Sequence, residues 1–432
     1  MGSRPRYPLE HLVRCGRRLL GLCASVLVFA LIRQAGAETL GSQGIFERHE
    51  HAVFQIRVIN RETGKKSSIG SGFVFAAPNR LATNYHVVSQ YIEKPDDYEL
   101  RYLAVDGGES RLQLVAIDAV HDLAVVAADQ PLGNPLAIGQ PPAKGASLYA
   151  MGNPLDLGLT IAAGTNGGVL SQTDESRILF SGSLNPGMSG GPTFDEYGTV
   201  VGVNVSTARN DISFIVPTRF LARLASTAPE AIDGALGRIS RQIREYQIGY
   251  VQGMLAAAWP STSIRGVLVP GSISPTVRCW DASPKSKPEN LYRQYSISCK
   301  NENNIFLTDR LEVGKIVYEY TWLESQQLEP ARFYRLYEAL NNSQFGGRAD
   351  EDDVTRFVCD TRFVTIGTEN LKATVCYRAY KNYQGLGDVL FTSALIGHPQ
   401  SGFIFNLDLS GTDLSAALQL IERFLRELQW QD

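Results

Sequence analysis

From residue 45 to about residue 220 the chain is written in short apolar runs separated by Gly, Asn and Pro, and this punctuation limits its fold more than any other feature. Runs of this length bounded by turn residues are strands rather than helices. A first group of candidates covers 53–59, 68–75, 80–83, 99–105, 112–117 and 123–127. A second covers 147–151, 160–170, 178–180, 192–194, 200–206 and 212–217. The Pro- and Gly-rich stretch 129–142 lies between them as a connection. Two sets of six strands fit an all-β double β-barrel.

Three motifs on this framework carry chemistry. Residues 185–192 read Asn-Pro-Gly-Met-Ser-Gly-Gly-Pro, which puts Ser189 in a glycine-rich turn. Upstream lie Thr83-Asn84-Tyr85-His86-Val87-Val88 and His121-Asp122-Leu123-Ala124-Val125-Val126. They supply a base, a carboxylate and a nucleophile in the chain order His, Asp, Ser. A serine hydroxyl is a weak nucleophile until an imidazole takes its proton, the role expected of His86. Asp122 would fix the histidine tautomer and stabilise the imidazolium. Gly187 has the backbone freedom to aim its N–H, together with that of Ser189, at a developing oxyanion. On the double barrel, His86 and Asp122 belong to the first barrel and Ser189 to the second, so the site falls in the cleft between them.

Gly187-Met188-Ser189-Gly190-Gly191 also satisfies the G-x-S-x-G pattern of a nucleophile elbow. That elbow needs a helix after the serine and a histidine later in the chain. Here Pro192 and a strand follow, and only His398 lies downstream. The elbow reading fails on both counts.

The motifs resemble the trypsin-like serine proteases, most closely the bacterial HtrA/Deg branch. The matching stretches are GSGFV at 70–74, TNYHVV at 83–88, DAVHDLAVV at 118–126, MGNP at 151–154, NPGMSGGP at 185–192 and VVGVN at 200–204. The resemblance covers roughly residues 45–220, where no cysteine falls. The family pattern sets its carboxylate just before Leu-Ala-Val, which selects Asp122 over Asp118 and over His121. It implies a serine endopeptidase that acts on proteins or peptides through an acyl-enzyme. It also implies that the base of the primary specificity pocket is Ser183, six residues before the nucleophile. The strand through Val205, Ser206 and Thr207 would pair with the substrate backbone and wall the pocket. An uncharged Ser183 offers no partner to a buried Lys or Arg, so Val or Ala before the cleaved bond is expected. A reading of another class stays open: a chaperone-like or substrate-binding module whose activity is latent or regulated.

The ends and the composition add context. The first 37 residues hold six Arg, one Glu and an apolar run from Leu19 to Ile32, followed by Ala35-Gly36-Ala37. This is the pattern of a secretory signal peptide cleaved near Ala37, too short for a membrane span, and implies a periplasmic or secreted protein without a stable membrane anchor. Cleavage would leave 35 basic and 43 acidic residues, a formal net charge of −8. A modestly acidic chain has no electrostatic footprint for nucleic acid. No Cys or His cluster has metal-ligand spacing, and no cofactor is expected. The oligomeric state stays open.

The 395 residues after the signal exceed one core, so the expected division is a protease domain at 38–225, a linker at 226–240 and a C-terminal domain at 241–432. Gly266-Val267-Leu268-Val269 faintly resembles the opening of a PDZ domain, but no Ala-Gly-Leu-x-x-Gly-Asp run follows. An α+β module of another kind is expected. Cys15 and Cys23 leave with the signal, so Cys279, Cys299, Cys359 and Cys376 remain. An even count in an exported chain argues for disulfides, and each sequence-local pair, Cys279–Cys299 and Cys359–Cys376, sits on two successive strand-like runs. The corresponding cysteines are 80 and 77 residues apart, each pair followed by a strand and then a helix at 329–340 or 412–428, the pattern of a tandem repeat. In the last helix Leu414, Leu418, Ile421, Leu425 and Leu428 fall on one face.

Overall fold

Six antiparallel strands close the first barrel in the order β1-β2-β3-β6-β5-β4. They are β1 (Val53–Asn60), β2 (Lys66–Val74), β3 (Arg80–Thr83), β4 (Tyr98–Leu103), β5 (Glu109–Asp118) and β6 (Leu123–Ala127). The second barrel closes in the order β10-β11-β12-β9-β8-β7. Its strands are β7 (Ser147–Gly152), β8 (Thr160–Val169), β9 (Ile178–Phe180), β10 (Pro192–Phe194), β11 (Val200–Val205) and β12 (Ser213–Pro217). The structure is a computed structural model. It describes Gly2 and residues 39–431, except 171–175, 206–212, 228–231, 286, 288, 303, 304, 309 and 342–348. The expected signal segment, Cys15, Cys23, Ser206 and Thr207 therefore lie outside the described residues.

Pleating explains why β6 is apolar throughout. Alternate side chains of a strand face opposite sides. Ala124 and Val126 enter the core inside the first barrel and beneath its helix. Leu123 and Val125 enter a second core with Met151, Phe194 and Val203 of the other barrel. The two barrels are thereby joined by apolar packing. Among the described residues, helix α1 (Ser42–His49) precedes the first barrel, α2 (Tyr85–Glu93) is inserted after β3, and α3 (Thr218–Ala225) follows β12.

Helix α4 (Ala235–Ala256) corrects the expected linker, because its first turns occupy residues 235–240. Its buried face runs Ala235, Ile239, Ile243, Gln247, Val251 and Met254, spaced for a helix. Buried Arg238 and Gln247 and three glycines disguise that face in the sequence. The helix bridges two cores: Ala235, Ile239 and Ile243 pack with the first barrel. Val251 and Met254 pack with the C-terminal sheet.

Beyond α4 the chain is α+β. A seven-stranded antiparallel sheet has the order β15-β16-β19-β23-β22-β21-β20. Its strands are β15 (Val277–Asp281), β16 (Tyr292–Asn301), β19 (Ile316–Ser325), β20 (Val358–Ile366), β21 (Glu369–Ala379), β22 (Gly387–Leu395) and β23 (Ser401–Thr412). A small sheet joins β13 (Ser261–Ile264), β14 (Val267–Pro270) and β24 (Gln429–Trp430), and β17 (Ile305–Phe306) pairs with β18 (Glu312–Val313). Helix α5 (Pro330–Leu340) packs Phe333 and Tyr337 on Ile404. Helix α6 (Leu414–Glu427) packs Phe424 and Leu420 with Phe403 and Phe405. Adjacent residues of β23 face opposite ways, so the two helices cover opposite faces. The two cysteine-bearing units thus share an order of hairpin, strand and helix, but not a packing arrangement. Cys279 faces Cys299 across β15–β16 and Cys359 faces Cys376 across β20–β21. Each pair of sulfurs lies at bonding distance, 2.04 Å and 2.01 Å.

Candidate active site

Asp122 sits in the tight link between β5 and β6 with φ +58°, the left-handed region that a non-glycine residue enters at a cost. Three successive residues hold it there. Asn84 Nδ2 donates to the Asp122 carbonyl at 2.8 Å. The Tyr85 N–H donates to the same carbonyl at 3.2 Å. The His86 N–H donates to Asp122 Oδ1 at 2.9 Å. Asp122 Oδ2 then lies 2.7 Å from His86 Nδ1. Both carboxylate oxygens therefore grip one residue, through its main chain and its ring. With Nδ1 bearing its proton toward the carboxylate, Nε2 is left as the basic nitrogen. Asp122 is buried, whereas the His86 side chain is 30% exposed.

Asp118 and His121 form a similar pair outside this arrangement. His121 Nδ1 lies 2.7 Å from Asp118 Oδ2, and its ring stacks on Phe220 at 3.7 Å. They satisfy each other and leave Asp122 to His86.

Ser189 is buried in the loop between β9 and β10. Residues 185–188 form the turn that leads into it. Pro186 presets the first corner, Gly187 takes φ +97°, and the Met188 N–H closes on the Asn185 carbonyl at 3.0 Å. A Cβ on Gly187 would come within 2.3 Å of the Asn153 carbonyl. One residue past the serine, Gly190 has φ +86°, and a Cβ there would meet the Ser71 carbonyl at 2.2 Å.

The orientation of this loop follows from where its carbonyls are tied. The Leu155 N–H holds the Pro186 carbonyl at 2.9 Å. The Gly191 N–H and Asn204 Nδ2 hold the Met188 carbonyl at 3.2 and 3.3 Å. Across a trans peptide the N–H points opposite to the carbonyl. The Gly187 and Ser189 N–H groups are therefore turned away from these anchors.

A residue of the first barrel holds the other two carbonyls. The Ser71 N–H donates to the Ser189 carbonyl at 2.7 Å. Ser71 Oγ donates to the Gly187 carbonyl at 2.7 Å and accepts from the Asn153 N–H at 2.9 Å. Thr83 Oγ1 donates to the Ser71 carbonyl at 2.8 Å. Ser71 is fully buried and bonded through all three of its polar groups. Sequence reasoning assigned no role to Ser71, Asn153 or Asn204, although they stand inside the stretches GSGFV, MGNP and VVGVN that mark the family resemblance.

The structure brings His86 and Asp122 into direct contact and places Ser189 in the rigid loop across the interbarrel junction. Ser183 is exposed three residues after Phe180 ends β9, and Val205 is buried at the end of β11. Ser206 and Thr207 lie outside the described residues. Among those described, no three His, Cys, Asp or Glu side chains gather as a metal site.

Residues 70–203 match the model of the trypsin-like peptidase domain. Serine protease HTRA2, mitochondrial, from Bos taurus is 31% identical over 189 residues, 40% of this chain and 40% of that protein. A probable periplasmic serine endoprotease DegP-like from Rhizobium meliloti is 31% identical over 214 residues, 46% of this chain and 40% of that protein. The chain therefore spans about two fifths of the length of these relatives. Among solved structures, that of Deg5 is 24% identical with a TM-score of 0.38, covering 43% of this chain and 94% of that one. Within the double barrel, residues 70–203 therefore match the trypsin-like peptidase domain, and the chain is similar there to serine proteases of the HtrA/Deg branch.

Proposed function

We propose that the chain is an exported serine endopeptidase in which Ser189 is the nucleophile, His86 the general base and Asp122 its orienting carboxylate. The observation that carries this reading is the double grip of Asp122 on His86, at 2.9 Å to the backbone N–H and 2.7 Å to Nδ1. Nε2 of His86 takes the Ser189 Oγ proton as Oγ attacks the scissile carbonyl. The negative oxygen is received by the N–H groups of Gly187 and Ser189. The imidazolium then gives its proton to the departing amine, leaving an acyl-enzyme that water hydrolyses by the reverse relay. Residues 1–37 serve as the export signal, and the paired cysteines are oxidised after export. Ser183 and Val205 favour an uncharged residue before the cleaved bond. A cleavage profile dominated there by Lys or Arg would count against this assignment.

The test is labelling of the full chain by a fluorophosphonate probe, together with cleavage of a peptide library. Ser189→Ala and His86→Ala are expected to abolish labelling and to lower turnover by a factor on the order of 10⁶. Asp122→Asn is expected to cost about 10⁴ by presenting the wrong tautomer. Undiminished cleavage by Ser189→Ala would end the protease reading.

A further inference from the structure

The C-terminal module reaches the histidine. Helix α2, which carries His86, packs its buried Tyr85, Val87, Val88 and Ile92 into one core with Ile305, Leu307, Leu311 and Val313 of the β17–β18 hairpin. The Tyr85 hydroxyl, inside that core, donates to the Leu307 carbonyl at 2.9 Å. At the far end of the same helix the Tyr383 hydroxyl donates to Glu93 Oε1 at 2.9 Å. Gln242 of α4 bonds both the Ala119 N–H and the Ile117 carbonyl, at 3.1 and 2.8 Å, in the segment that leads to Asp122.

The hairpin is itself fixed. The Leu307 N–H donates to the Leu311 carbonyl at 2.9 Å, and Thr308 Oγ1 accepts from the Arg310 and Leu311 N–H groups. At its root the Gly314 N–H donates to the Ser410 carbonyl of β23 at 2.9 Å, and Asn301 Nδ2 donates to the Gly314 carbonyl at 2.7 Å. Strand alternation sorts its side chains. Ile305 and Leu307 are 1% and 0% exposed, anchored in the core. Phe306 between them turns the other way and remains partly exposed. Its ring centroid lies 6.3 Å from that of His86, at an interplanar angle of 46°.

From this placement we infer that Phe306 is a specificity-determining residue: an apolar wall of the substrate cleft beside His86, supplied by the C-terminal module, that packs against a substrate side chain flanking the scissile bond. The inference rests on the protease reading, because a ring beside the general base meets substrate only if His86 works on substrate. It gives the module a share in the recognition surface through a fixed contact. A bulky apolar side chain at the flanking position gains a face to pack on, and glycine there gains nothing.

The experiment is a positional-scanning peptide library cleaved by the full chain as wild type, Phe306→Ala, Phe306→Leu and Phe306→Glu, with fluorophosphonate labelling of the wild type alongside. At one position flanking the scissile bond, the wild-type preference for large apolar residues over Gly is expected to fall about tenfold in Phe306→Ala, the size of one lost aromatic contact. Phe306→Leu should retain most of that preference, and Phe306→Glu should raise Lys or Arg at the same position. Profiles that superimpose at every position would overturn the inference. So would an equal loss of kcat across all peptides, which would mark Phe306 as packing only. A wild type that is neither labelled nor active would instead fail the protease reading and take this one with it.

Discussion

Ser71 shows how much of the proposed catalytic loop depends on one residue outside it. Its hydroxyl donates to the Gly187 carbonyl and accepts from the Asn153 N–H, while its own N–H holds the Ser189 carbonyl. Ser71→Ala removes the hydroxyl and leaves a buried donor and a buried acceptor unpaired, at about 1–3 kcal/mol for each group left unsatisfied. The main-chain bond to Ser189 survives, and the Leu155 N–H still holds the Pro186 carbonyl, so the proposed nucleophile and the Gly187 N–H stay placed while the Gly187 carbonyl loses its anchor. We expect kcat to fall, by less than the roughly 10²–10³ that follows outright loss of one oxyanion donor, with KM little changed. Steady-state kinetics on a cleaved library peptide, with a melting curve to correct for stability, would check it. A loss confined to KM would place Ser71 outside the catalytic loop's support. The proposed triad residues stand in contiguous motifs, so the sequence alone nominates them. Ser71 was not, because its partners at 153, 187 and 189 are distant in the chain and meet only when the barrels join.

At the scale of elements, strands were more legible than helices. The bounds expected for β3, β6, β9 and β10 coincide with those in the structure. Their apolar runs end at turn residues on both sides. Helix α2 was missed, since the residues between the strands expected at 80–83 and 99–105 were assigned no element. Helix α6 was found but its face was displaced. Leu418 is 44% exposed, while Ala417, Leu420, Phe424 and Leu428 fill the core, because Phe424 is surrounded by Tyr318 and Phe405. The value of α2 to the site gives a prediction at this scale. Tyr85→Phe deletes only the hydroxyl that bonds the Leu307 carbonyl, leaving that buried acceptor without this donor. It should destabilise the full chain by about 1–2 kcal/mol, and the loss should appear in the melting of the first barrel and of the C-terminal module alike. Hydrogen exchange that slackens in α2 but leaves the β17–β18 hairpin unchanged would contradict such coupling.

For the whole molecule, the shared core makes the barrels and the C-terminal module one packed body, despite a sequence that reads as two separable halves. Its stability carries a recognisable acid term. Burial, then the neighbouring Glu319 and Asp388 charges, push the Asp408 carboxyl up to about 6. A carboxyl raised above its unfolded value of about 3.9 favours the native state only while protonated. Its contribution is therefore lost as pH climbs from about 4 to 6, and above that the native state carries the full penalty, about 1–3 kcal/mol. Asp408→Asn should raise the melting temperature at pH 7.5 and give no advantage at pH 3.5. Thermal melts of both proteins across this range would check it, and an equal gain at both pH values would assign the effect to packing. A different hazard of large assemblies of strands is answered at the margins of the seven-stranded sheet. The outermost strands, β15 and β20, are the two places where an unsatisfied backbone could recruit another molecule, and β20 shows Val358 and Phe363 to solvent at 76% and 73% exposure. Each cysteine pair spans one of these margins and its inner neighbour. Oxidation at both would keep the lateral strands registered to their own chain and so hinder strand exchange at these two edges.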